Sequence, residues 1–89
     1  MREFSIEEGL QKTLNKLFKK DRTTYEFLMK KIEEVVMNGD INHYKNLRKP
    51  LQEFKRVHVR SSFVLIFKYI ELDNKVIFYE FDHHDKIYK

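Results

Sequence analysis

The sequence predicts an α+β fold in which two N-terminal helices pack on one face of a small antiparallel sheet of three main strands, with Met1 to Phe4 able to add a short edge strand. Three observations predict it. Apolar residues recur at helical spacing from Ile6 to Val36, they recur at a period near two after Gln52, and the change falls across a stretch holding the single proline, Pro50. A length of 89 residues, 42% apolar with eight Phe and five Tyr, suits a single domain, 1–89, with one core.

The first helix is predicted over Ile6 to Lys19. Ser5 followed three residues later by Glu8 has the form of a capping box, and Ile6, Leu10, Leu14, Leu17 and Phe18 then make one stripe. A short link around Lys20 to Arg22 leads to a second helix, with Asp21 or Thr23 as its cap. Its stripe is Phe27, Leu28, Ile32, Val35 and Val36, and Gly39 stands where a left-handed C-cap is wanted. So short a link predicts an antiparallel helical hairpin, and both stripes need a further apolar surface to cover them. Ile41 to Gln52 has no period and reads as an irregular connection. From Phe54 to Arg60 the alternation puts Val57 and Val59 on one face and Arg56, His58 and Arg60 on the other. Phe63 to Glu71 has the content of a central strand, with Phe63 and Phe67 as core. Leu72, Asp73 and Asn74 supply a turn, and Lys75 to Phe81 repeats the strand composition, so the two segments form a hairpin.

Composition removes whole classes of function. With no cysteine there is no disulfide framework, thiolate zinc site, iron–sulfur cluster or cysteine nucleophile. Neither helical i, i+4 nor zincin spacing occurs among His43, His58, His83 and His84, so no metal is predicted, and no other cofactor. The N-terminus lacks a signal-peptide core and the longest apolar stretch, Phe63 to Phe67, cannot span a bilayer, which makes the cytoplasm the expected compartment and a membrane partner unexpected.

The net charge of +4 is unevenly placed: between Lys45 and Arg60 six cations (Lys45, Arg48, Lys49, Lys55, Arg56, Arg60) face one acid, Glu53, a local excess of +5. Such a run is either a solvated face or a site for a polyanion. Within it Arg56, His58 and Arg60 share a strand face. That is the solvent side of a sheet, or it is the set of groups that phosphodiester cleavage in RNA requires: a proton acceptor for the 2′-hydroxyl, a donor for the departing 5′-oxygen, and cations for the extra negative charge.

The run Arg56 to Lys68 (RVHVRSSFVLIFK), a following strand and the ending His83-His84-Asp85-Lys86-Ile87-Tyr88, with Pro50-Leu51 upstream, resembles the RelE/ParE toxin superfamily, above all its YafQ-like and RelE-like ribosome-dependent mRNA interferases. The likeness covers Lys49 to Tyr88, and the first half matches in its two-helix layout. It implies a RelE-like fold and a toxin of a type II toxin–antitoxin system that cuts mRNA on the ribosome without a metal, with a cognate antitoxin as its protein partner. His58 falls on the YafQ-like strand histidine, and Arg56 with His58 falls on paired lysines of RelE. His84 with Tyr88 fits the YafQ pattern of histidine then aromatic, whereas His83 fits relatives that end one residue differently. The catalytic set implied is His58, His84, Arg56, Arg60 and Tyr88, with Lys45, Arg48, Lys49, Lys55 and His83 on RNA. Ser62 replaces an aspartate of YafQ-like members, Val64 an arginine of many RelE-like members, and Lys49 a YafQ-type histidine. The alternative is a ParE-like gyrase inhibitor or a degenerate module that only binds its antitoxin.

Overall fold

Strand-forming residues at both ends of the chain meet in one sheet. The computed structural model describes residues 2–87. Glu3–Ile6 (β1) precedes two helices, Glu8–Lys20 (α1) and Arg22–Met37 (α2); a short 3-10 turn, Ile41–His43, follows, then Lys55–Val59 (β2), Phe63–Ile70 (β3), Lys75–His83 (β4) and a last turn of helix, His84–Ile87 (α3). The sheet order is β1-β4-β3-β2. β2, β3 and β4 are antiparallel as expected, but β1 joins the edge of β4 in parallel, so the sheet is mixed.

That edge strand revises the N-terminal reading. Ser5 pairs with Ile77 inside β1 and Ile6 with Phe78, so neither belongs to α1 and the capping box is absent. The helix starts after Glu7, whose extended backbone accepts from Gln11 N–H at 2.9 Å while its own N–H donates to Phe78 O at 2.9 Å. A single residue, Asp21, joins α1 to α2, and its carboxylate caps α2 by accepting from Thr24 N–H at 3.2 Å. Gly39 does not close α2: Asn38 ends it with extended backbone (φ −69°), and no glycine among the described residues has positive φ.

The helices cover one face of the sheet. Leu10 and Leu14 from α1 and Leu28, Ile32, Val35 and Val36 from α2 pack with Val59, Leu65, Phe67, Val76, Phe78 and Phe81. Phe67 is fully buried and Phe63 partly, as expected for core. Two members of the predicted stripes are not core. Phe18 and Phe27 are 45% and 48% exposed, because each lies at the margin of its helix and meets an arginine there, Arg22 and Arg60.

Between Ile66 and Phe67 the β3–β4 register slips by one residue: Ile66 pairs with Glu80 but Phe67 pairs with Phe78, leaving Tyr79 as a bulge. Strand alternation is thereby reset. Phe78 and Phe81, three apart, both point into the core, while Tyr79 packs edge-on against Phe54 (centroids 4.9 Å) on the opposite, outer face. That outer face holds no long helix. Part of it is covered by the connection before β2 and by α3, and the remainder carries the candidate site. No helix among the described residues is long and apolar enough to cross a membrane.

Candidate active site

β2 alternates as expected over its own length. Lys55, Val57 and Val59 face the helices and Arg56 and His58 the outer side. The cross-strand rows on that side are His58–Val64–Asp82 and Arg56–Ile66–Glu80. The bulge decides this: it puts Asp82 outward and the next residue, His83, in the opposite phase, exposed at the margin of the sheet, where its ring lies 4.4 Å from that of Phe63. One residue further the strand becomes α3, and His84 N–H donates to Ser62 O at 2.8 Å. This bond folds His84 back over the outer face. Its imidazole stacks on that of His58, with centroids 5.7 Å apart and 21° between planes.

The stack sits where two clefts meet. One, of about 400 Å³, is walled by His58, Ser61, Ser62, His83, His84 and Asp85. The other, of about 710 Å³, is lined by Asn46 to Leu51, Arg56, His84 and Ile87, so it brings Arg48, Lys49 and Arg56 to the far side of the same histidine. Asp85 lies 3.8 Å from His84 Nδ1 but is fully exposed, where a carboxylate contributes little. Asp82 accepts the His83 N–H at 2.7 Å. A cation-lined groove ending at two stacked imidazoles can hold a phosphate and offer it a proton donor and a proton acceptor.

Three of the predicted site residues are placed elsewhere. Arg60 leaves the outer face: its backbone takes the left-handed conformation (φ 59°), and its guanidinium donates to Thr24 Oγ1 at 3.2 Å on α2. Alternation failed there because β2 ends at Val59. Lys55 is 8% exposed and points inward, its ammonium donating to Tyr44 O at 3.3 Å and Asn46 Oδ1 at 3.1 Å. It holds the connection, not a ligand. Lys45 is exposed but outside both clefts, its carbonyl accepting Arg56 N–H at 2.9 Å. Tyr88 lies outside the described residues.

No family model matches the sequence. A protein of Methanocaldococcus jannaschii named "Putative toxin RelE4" is 51% identical over 89 residues, spanning all of this chain and 93% of that one. The chain belongs to the RelE toxin family. Solved structures agree on the fold of this RelE-family chain. The isolated RelE toxin of E. coli matches with a TM-score of 0.72 at 23% identity, covering 93% of this chain and 84% of RelE. A chain of the intact E. coli RelBE toxin–antitoxin complex gives 0.71 at 21% identity, over 93% and 96%. YafQ of E. coli BL21(DE3) gives 0.62 at 15% identity over both whole chains.

Within this RelE-like sheet Val64, fully buried, fills the position between His58 and Asp82. Cation at the site therefore comes from Arg56, Lys49 and Arg48, on the other side of the histidines. Sequence reasoning missed Ser61 as a wall of the smaller cleft, and Leu47, Leu51 and Ile87 as the apolar lining of the larger. An apolar Leu51 beside the proline in a basic stretch was the available signal.

Proposed function

We propose that this chain is the toxin of a toxin–antitoxin pair and cleaves mRNA on the ribosome. The observation that carries the reading is the stack of His58 on His84 at the junction of the two clefts, with Arg48, Lys49 and Arg56 beside it. In the reaction the 2′-hydroxyl attacks the adjacent phosphorus. His58 on its strand takes the hydroxyl proton, and His84, mounted on the short α3, gives a proton to the departing 5′-oxygen. The P–O5′ bond breaks as the P–O2′ bond forms, leaving a 2′,3′-cyclic phosphate and a 5′-hydroxyl. Arg56 and Lys49 balance the charge that builds on the phosphorane. Neutral imidazole suits the first role and imidazolium the second, and no metal is needed for either. Tyr88, four residues after His84, stacks on or orients the scissile nucleotide.

The protein partner is an antitoxin with an acidic segment that covers the basic groove and competes with RNA. One chain of the RelBE toxin–antitoxin complex shares the fold of this chain, which supports that partner. Ribosomes place the site of action in the cytoplasm.

Primer-extension mapping of cellular mRNA after induced expression tests the activity. Codon-phased cuts that disappear in His58→Ala support it. Growth arrest with DNA damage and no such cuts would move the chain to the gyrase-inhibitor reading, and Val64 in place of a phosphate-binding arginine is the observation on that side.

A further inference from the structure

We propose that Phe27 and Arg60 form a stacking subsite for an unpaired nucleobase of the RNA strand that occupies the histidine cleft. The inference rests on the RNA reading above and extends it to a surface outside both clefts.

Phe27 lies on the flank of α2 that faces Arg60 of the β2–β3 turn, with 48% of its surface in water. A large ring left that exposed gains little from the core. Arg60 approaches it with the guanidinium carbon 5.0 Å from the ring centroid. Three constraints hold the guanidinium there. The Arg60 backbone is left-handed, a conformation a side-chain-bearing residue keeps only when its surroundings fix it. Its Nη1 donates to Thr24 Oγ1 at 3.2 Å, and Thr24, 1% exposed, in turn donates to Asp21 Oδ2 at 2.7 Å. The guanidinium is thus held against the ring with little side-chain freedom of its own left to lose on binding.

The backbone of the β2–β3 turn joins this pair to the histidine cleft, with the guanidinium on its α2 side. Arg60 directly precedes Ser61 and Ser62, which wall the cleft with His58 and His84. A strand whose phosphate sits at the histidines would pass its neighbouring nucleotide over this turn. Arginine and phenylalanine both stack on the π-face that every base offers, and the guanidinium's remaining N–H groups are suited to the flanking phosphate. The adjoining cleft is polar, so an apolar protein segment finds no continuous surface here; the apolar groove of this domain lies on the opposite flank of α2, between Met29, Val36 and Phe4.

The molecule contains its own control. Phe18 and Arg22 make a second exposed pair, with the guanidinium 3.7 Å from the ring, but Phe18 packs on Tyr25, on the flank of α2 away from the histidines.

The test uses the full chain and a single-stranded RNA dodecamer, 2′-O-methylated to block cleavage and carrying 2-aminopurine, whose fluorescence falls on stacking. Binding is measured for the wild type, Phe27→Ala, Phe27→Leu and Phe18→Ala, with thermal unfolding as the check that each variant folds. Quenching by the wild type is expected, with affinity about 5- to 150-fold lower in Phe27→Ala, the range one base–aromatic stack supplies. Phe27→Leu should be nearly as weak, and Phe18→Ala should match the wild type. Equal affinity in Phe27→Ala, full recovery in Phe27→Leu, or the same loss in Phe18→Ala overturns the subsite. Because the probe cannot be cut, a chain that stacks RNA through Phe27 yet cleaves nothing would refute the nuclease and keep the subsite. A chain that cleaves equally well without the Phe27 ring would do the reverse.

Discussion

Lys55 gives the sharpest separation between a residue that belongs to a charge run and one that serves the fold. Its ammonium is buried against Tyr44 O and Asn46 Oδ1, and so ties β2 to the segment that leads toward Arg48 and Lys49. Lys55→Met keeps the length of the stem and removes both donations. Each bond to a charged group is worth ~1.5–3 kcal/mol, part of it offset by the desolvation the ammonium no longer suffers, so the net loss should be on the order of 1–3 kcal/mol. Lys55→Ala also removes three methylenes of buried stem, at ~0.8 kcal/mol each, and should cost ~2 kcal/mol more. Urea unfolding of the three proteins gives the ordering wild type, Met, Ala. Ribosome binding at two or more salt concentrations supplies the other half: the slope of log affinity against log salt should be the same in wild type and Lys55→Met, because no phosphate contact is lost. A Lys55→Met protein as stable as the wild type, with a shallower salt slope, would show that this lysine reaches RNA and refute the inward assignment.

His58→Ala and His84→Ala should each lower single-turnover mRNA cleavage by on the order of 10²-fold or more, whereas His83→Ala, whose ring sits on Phe63, should stay within a few-fold; a larger loss at His83 would reverse the assignment of the acid. Lys49→Glu with Arg56→Glu should weaken ribosome binding and flatten its salt dependence, and a charge-reversed protein that binds as before would remove the groove from the RNA path. The Thr24 hydroxyl, then the Thr24 N–H and the Arg60 charge, hold the Asp21 carboxyl below its ordinary value. A depressed folded pKa stabilises the protein above the unfolded pKa of about 3.9 and is lost as pH falls through the folded value. The thermal midpoint of wild type should therefore exceed that of Asp21→Asn at about pH 6 and converge on it towards about pH 2; a gap independent of pH would assign the cap to geometry alone. Adding a chelator selective for transition metals, with Mg²⁺ retained for the ribosome, should leave cleavage unchanged, and loss that zinc restores would overturn the metal-free reaction.

Elements built on long periodic runs were legible in the sequence. Leu28, Ile32, Val35 and Val36 bury as their spacing requires, and the Phe63 to Phe81 hairpin pairs as its composition predicts. What escaped was set by partners distant in the chain. Ser5 has the side chain of a cap, but strand pairing of β1 with β4 satisfies its backbone instead, and a local rule cannot see a partner some seventy residues away. Arg60 obeys alternation only until the strand ends, and the Thr24 hydroxyl that captures it comes from another layer of the fold. At the site, His58 and Arg56 were readable from period two because both lie within β2. The choice between His83 and His84 was not, since adjacent residues on a strand differ only in phase and the phase is set upstream by the bulge at Tyr79.

That bulge also decides where the chain tolerates a change of length. Removing Tyr79 would join Phe78 directly to Glu80, two residues already paired to neighbours on β3, and the hairpin would close up with every later side chain still on its own face. Removing Phe81 instead would carry Asp82, His83 and His84 back by one place and exchange the phases of the two histidines. A one-residue deletion in this chain is accordingly accommodated at Tyr79, while downstream of it the stacking of His84 on His58 depends on the spacing being kept.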